Sequence, residues 1–271
     1  MKSGLTRSAR PKTDPIRAAL SWIGSSRTAT QVAVLVGLAV AWEIGGRLLD
    51  FRLIPPFSEV ARAFFNLIGT ARFQTDAVLT TLTFMLGFIP ALLIGIPAGV
   101  LMGRFSKLET ILDPYVNAAV SMPMAALVPL LLLVLGTSIV TRAVIVFLFS
   151  VFMILIGTLN GIKNTDRSLI EMARSFGARE STILSAIAIP SALPLILGGV
   201  RVGIGRAVAG AIIAELLTGA LSGLGGRIQS FGSTLQMPQV YAIVLGVTLV
   251  AWIATEVIFR AEARLGHWRH A

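Results

Sequence analysis

Unbroken apolar runs of about 20 residues, separated by short polar intervals, fill most of this chain. They fall near 29–49, 78–102, 115–135, 141–160, 196–218 and 240–260. The runs do not alternate apolar and polar, so the pattern predicts helices rather than barrel strands. A helix of about 20 residues covers about 30 Å, the thickness of bilayer hydrocarbon. Ile54-Pro55-Pro56-Phe57-Ser58-Glu59 breaks the chain after the first run. A short amphipathic helix is predicted near 58–69, with Val60, Phe64 and Leu67 on one face and Arg62 off it. The longest internal polar interval, 161–195, also carries helical signals. Thr165 or Asp166 can cap a helix whose apolar face holds Leu169, Ile170, Ala173 and Phe176. Arg167 and Arg174 stay on its polar side, and Gly177 suits the position just past its end. A second short helix, about 179–188, is expected to run to Pro190 at a right angle to the first.

Composition fixes the solvent. Hydrophobic residues make up 55% and charged residues only 13%, with a mean hydropathy of +0.83. Soluble domains carry roughly 25% charged residues. The expected fold is therefore all-α, a polytopic membrane bundle of six transmembrane helices. It divides into a basic tail (1–28), the membrane domain (29–260) and a second tail (261–271). The net charge of +10 follows from topology rather than from nucleic-acid binding, because no basic stripe carries interleaved aromatics. Of 23 basic residues, 17 fall in the tails, the 103–114 and 161–195 loops, the start of the fifth run or the last position of the sixth, Arg260. That asymmetry places both termini in the cytoplasm. The first run has basic flanks and no small-residue cleavage site, so it is expected to remain as a span.

Candidate chemistry is sparse. There is no cysteine, and the only histidines are His267 and His270. No phosphate-binding G-x-x-x-x-G-K-[ST] loop occurs, so no bound cofactor is expected in this chain. Gly87, Ala91, Gly95, Gly99 and Gly103 recur every four residues, a stripe suited to close helix packing. Pro90, Pro97, Pro123 and Pro129 are expected to loosen or kink their helices. Glu43 with Arg47 and Glu256 with Arg260 read as local i, i+4 pairs. Glu215 has no basic residue within four positions. Three readings stand for it: a gate or structural hydrogen bond, a solute contact, or a side chain reaching the headgroups. A bare carboxylate repels anions, so the gate reading suits an anionic solute. An ion-coupled secondary transporter would need more buried carboxylates than this, and an enzyme would need a catalytic cluster.

Glu171-Met172-Ala173-Arg174-Ser175-Phe176-Gly177, nine residues, then Ile187-Ala188-Ile189-Pro190 resembles the EAA motif of binding-protein-dependent ABC importer permeases. The family pattern is E-A-A, three residues, G, nine residues, I, any residue, L-P. Ile54 to Val60 is similar to the L-P-x-P-S-E-V stretch of the nitrate/sulfonate/taurine branch. Pro123 to Gly136, and Ala214-Glu215 with Gly223-Leu224-Gly225, resemble two further segments of that branch. Phe84 and Leu133-Val134 depart from the branch pattern. The resemblance implies a type I importer permease of the bacterial inner membrane. It implies coupling to an ATPase through Glu171, Ala173, Phe176, Gly177, Ile187 and Pro190, with Glu171 holding the loop or its partner. Glu215, Met122, Pro123 and Met124 are then candidates for the pathway or gate. The implied partners are two ATPase subunits carrying ATP and Mg, a periplasmic or lipid-anchored solute-binding protein, a second copy of the chain and the bilayer. The implied solute is a small anion such as a sulfonate or nitrate.

Overall fold

The computed structural model describes residues 27–49, 53–219 and 222–265. Most of the basic tail, Asp50, His267 and His270 lie outside them. Every regular element among the described residues is helical. In chain order they are α1 (Arg27–Leu49), α2 (Phe57–Ile68), α3 (Ala71–Arg104), α4 (Ser106–Ser121), α5 (Met124–Leu135) and α6 (Ile139–Lys163). After these come α7 (Arg167–Ser175), α8 (Glu180–Ile183), a π-helical turn (Leu184–Ala188), α9 (Ile189–Leu217), α10 (Gly223–Ser233) and α11 (Met237–Leu265). Among the described residues five stretches are long and apolar enough to cross a membrane singly, and the total is six if the bent pair α4 and α5 counts as one broken span.

The chain divides into two compact units, residues 1–61 and 62–271. In the first, Trp42 Nε1 donates to the Pro55 carbonyl at 3.0 Å. Glu43 pairs with Arg47 at 2.6 Å, as the i, i+4 spacing predicts, and also accepts the Ser58 N–H at 2.8 Å. One carboxylate thus caps the start of α2 and anchors the Pro55-Pro56 turn.

In the second unit α6 is the central element, packed on one side by α3 and on the other by α9. Phe88 and Ala91 from α3, Val146, Val151 and Ile154 from α6, and Val200, Ile204, Ala207 and Ala211 from α9 form its core. The glycine stripe explains the closeness. A Cβ on Gly99 would lie 2.6 Å from the Leu155 carbonyl oxygen and 2.6 Å from Thr158 Cβ. Gly95 and Gly103 face Ile154 and Ile162 in the same way. The partner of the stripe is therefore α6 of the same chain. Gly157 and Gly199 repeat the device where α6 meets α9. Helices in lipid gain little from apolar burial against one another, so backbone approach and dispersion set their association. Outward faces stay apolar and open, as at Leu133, Val250 and Val257, which fits contact with acyl chains.

Three expectations need correction. The third span is not one helix: α4 and α5 meet at 94°. Pro123 disfavours α geometry in the residue before it, and Met122 is extended at φ −71°, ψ 134°. Pro90 and Pro97, by contrast, sit inside the continuous 34-residue α3. That helix also starts at Ala71 rather than near 78, so Asp76 belongs to it as well as Thr80. Finally, the second loop helix and the fifth span form one run of 38 residues, Glu180–Leu217. Pro190 does not end it. The preceding π turn shifts the bonding register, with Ile189 N–H reaching the Leu184 carbonyl, just where proline offers no donor.

Candidate functional site

Two places concentrate polar chemistry, at opposite ends of α9. At its start lies the 164–189 loop. Asp166 caps α7, accepting the Ser168 N–H at 2.8 Å. Its bonds to Ser168, from side chain and backbone, hold its carboxyl below the usual range. That stabilisation is complete above the ordinary carboxylate pKa and is lost as pH falls through the lowered one. At the other end of α7, Ala178 N–H reaches the Ala173 carbonyl at 3.0 Å and Gly177 N–H reaches that of Arg174 at 2.9 Å. This is a Schellman closure, and Gly177 supplies its left-handed residue at φ +75°. A nine-residue helix closed at both ends has little freedom to fray.

The residues of the motif divide by exposure. Phe176 is 85% exposed at the tip, and Leu169 and Met172 are open beside it. Glu171 is exposed, and no hydrogen bond of its carboxylate joins it to the loop. Ala173 and Ile187 are half-buried, and Pro190 opens α9. The carboxylate that holds the loop internally is Glu180. It accepts from Arg174 Nε at 2.8 Å and pairs with Arg104 at the end of α3. Glu171 stands out in the sequence because the motif contains it. The signal for Glu180 was its i+6 position from Arg174 across a glycine turn.

At the far end of α9, Glu215 is fully buried. That burial removes the headgroup reading. Thr80 Oγ1 lies 2.8 and 2.9 Å from its two carboxylate oxygens. Gly225 N–H donates to Glu215 Oε2 at 2.8 Å, Leu224 N–H to Thr80 Oγ1 at 2.9 Å and Gly223 N–H to Asp76 Oδ1 at 2.9 Å. Three consecutive amides at the start of α10 thus hold two carboxylates and a hydroxyl, where the helix dipole favours negative charge. Arg227 Nε closes on Asp76 Oδ2 at 2.5 Å. Arg142 from α6 is buried and interacts electrostatically with Glu215. Two carboxylates and the Arg227 guanidinium therefore share one hydrogen-bonded cluster that joins α3, α9 and α10.

The glycines beside Glu215 are required by contact. A Cβ on Gly225 would stand 2.7 Å from Glu215 Cβ and 2.6 Å from the Ile212 carbonyl oxygen. Gly223 adopts φ +81° and would place a Cβ against the same carboxylate. The Ala214-Glu215 and Gly223-Leu224-Gly225 segments are thus two halves of one contact. Met122, Pro123 and Met124 take no part in its hydrogen bonds. They form the α4–α5 break, with Met122 exposed, and α5 reaches the region through Val128 packed on Ile145 and Ala214.

Thr80 also lines a cavity of about 400 Å³ between α2, α3, α9 and α11, beside Phe64, Phe84, Ile243 and Val247. Its walls are almost wholly hydrocarbon, which cannot replace the hydration of an anion.

Residues 91–267 match the family model described as the inner membrane component of binding-protein-dependent transport systems. A probable ABC transporter permease protein of Brucella abortus (strain 2308) is 31% identical over 68% of this chain and 73% of its own length. The taurine transport system permease protein TauC of Escherichia coli is 29% identical, covering 88% of this chain and 90% of its own. The putative aliphatic sulfonates transport permease protein SsuC of Bacillus subtilis is 28% identical over 88% and 86%. Among solved structures, a chain of the MetNI methionine ABC transporter in inward facing conformation superposes with a TM-score of 0.52. That match is 19% identical, covers 76% of this chain and 95% of the other, and speaks for the fold alone.

Proposed function

The chain belongs to the family of inner-membrane components of binding-protein-dependent transport systems, and from that membership we propose how it works. It is the permease subunit of an ABC importer. Two copies form the pathway across a bacterial inner membrane, with their termini in the cytoplasm. The 161–195 loop seats each copy on an ATPase subunit, which supplies ATP and Mg. A solute-binding protein delivers a small anion, of the sulfonate, nitrate or organic-acid class. The names of the taurine and sulfonate relatives support that solute class.

The observation that carries the coupling role is the build of α7. It is closed at both ends, presents Phe176 at 85% exposure, and after the Gly177 turn is followed by the 38-residue run Glu180–Leu217 that contains α9. A large aromatic at a rigid helix end is costly in water and suits a partner's groove. The helix behind it can carry a push along its axis, about 39 Å from Ile189 to Glu215 at 1.5 Å per residue. The buried cluster at the far end supports the gate or structural reading of Glu215. It ties together the helices that a tilt of α9 would separate.

The test is Phe176→Asp in the complex reconstituted with its ATPase and binding protein in proteoliposomes. Uptake is expected to fall at least about tenfold, the loss of one interface anchor, while membrane insertion stays normal. Gly177→Pro, which removes the N–H bonded to Arg174 and the left-handed turn, should act likewise. Wild-type uptake and a fully stimulated ATPase in either variant would overturn the coupling role. Uptake by the purified chain alone, driven by an ion gradient, would overturn the importer reading itself.

A further inference from the structure

We infer that Glu180 is a positioning residue of the coupling machinery, giving the loop a second mechanical route into the membrane through α3. The inference rests on the coupling role of the loop and adds to it.

Three helix ends meet at this one carboxylate. Arg104 stands in the last turn of α3 and Arg174 in the last turn of α7, while Glu180 opens α8. Each charge has the sign its own helix dipole favours: cations at C-termini, an anion at an N-terminus. Glu180 Oε1 takes Arg174 Nε at 2.8 Å, and Oε2 takes Arg174 Nη2 at 3.3 Å and also Arg104 Nη2. The Arg174 fork fixes the angle between α7 and α8 across the Gly177 turn. The Arg104 pair fixes that corner to α3. Without Glu180 the loop joins the bundle covalently through α6 and α9, and by the apolar packing of Leu184 and Ala188 in the cluster with Ile162 and Ala192, none of which holds α7 itself. With it, a displacement of α7 also pulls on α3, and the glycine stripe carries that displacement from α3 to α6.

The pairs are not there for stability. The side chains of Glu180 and Arg174 are 49% and 51% exposed, and exposed pairs contribute little. Geometry is what they supply. A neighbouring pair, Lys163 with Glu109 at 2.5 Å, ties the end of α6 to α4 but does not touch the loop helices.

The experiment uses the whole complex in proteoliposomes and reads solute moved per ATP hydrolysed. Glu180→Gln keeps size and removes charge. Arg104→Gln breaks the α3 link from outside the loop. Both are expected to co-purify with the ATPase at wild-type yield and to lower the transport ratio about threefold, the scale of losing exposed pairs. Glu180→Asp, which keeps the charge, should recover most of the ratio, as a merely structural side chain would not require. A wild-type ratio in Glu180→Gln, or equal ratios for the Gln and Asp variants, would overturn the inference. If Glu180→Gln did not assemble, Arg104→Gln decides, and a wild-type ratio there overturns it. Phe176→Asp separates the two claims. If it uncouples while Glu180→Gln does not, the docking role stands and the positioning role fails. If Phe176→Asp leaves coupling intact, the docking role fails.

Discussion

Replacing Gly99 with leucine is expected to destabilise the bundle by on the order of 3 kcal/mol, the upper part of the overpacking range. Even the first added carbon would stand 2.6 Å from a backbone carbonyl oxygen of α6. Backbone cannot swing aside as a flexible side chain does, so the two helices must separate. Separation removes dispersion contacts along the whole seam, and in lipid no hydrophobic term compensates for them. The control is Gly205→Leu in α9, where an added Cβ meets nothing within 4 Å. Thermal unfolding in detergent, read by the monodisperse fraction on size exclusion, should fall sharply for Gly99→Leu and little for Gly205→Leu. Equal melting would show that the stripe does not set the packing.

That stripe was legible in the sequence because spacing by four is a property of one helix alone. Its partner was not, since α6 answers with Leu155, Thr158 and Ile162 rather than with glycines of its own. The helical runs were legible for a similar reason: hydrocarbon thickness sets their length wherever they pack. Where the reading failed, local backbone chemistry decided. Pro123 broke a run that hydropathy joins, because the extended Met122 has no counterpart in an apolar average. Pro190 did the reverse, absorbed by a π turn that no composition signals.

The buried charges follow the same division. Glu215 stood out as a carboxylate in an apolar run. Asp76 did not, because the apolar run itself begins two residues later. Arg142 and Arg227 carry no sequence mark that separates them from ordinary loop-end charges, yet Arg142 is buried and Arg227 pairs with Asp76 beside Glu215. Pairs separated by 151 residues, as Asp76 and Arg227 are, leave no local spacing to detect. The glycines of Gly223-Leu224-Gly225 were the available clue. Three amides at a helix start, free of intrahelical acceptors, need acceptors from elsewhere, and two buried carboxylates and the Thr80 hydroxyl supply them.

Asp76→Ala should therefore cost about 3–5 kcal/mol, the range for breaking a buried pair from one side. The loss exceeds the worth of one bond. Arg227, whose side chain is only 13% exposed, would keep its charge without a counter-ion. Gly223 N–H would also lose its acceptor at the start of α10. Arg227→Ala should cost less, because Asp76 keeps the Gly223 amide. Removing both ought to cost clearly less than the sum, with a coupling energy of about 1–3 kcal/mol. A double-mutant cycle on thermal unfolding measures it directly. Additive single effects would mean that the two side chains are adjacent without stabilising each other. The same cycle run on uptake tests the gate reading. If the pair only holds the fold, uptake should track stability across all four proteins. If the cluster must open for solute to pass, the double variant should regain stability without regaining tight coupling, because a clasp without charges no longer reports whether the helices it joins have closed.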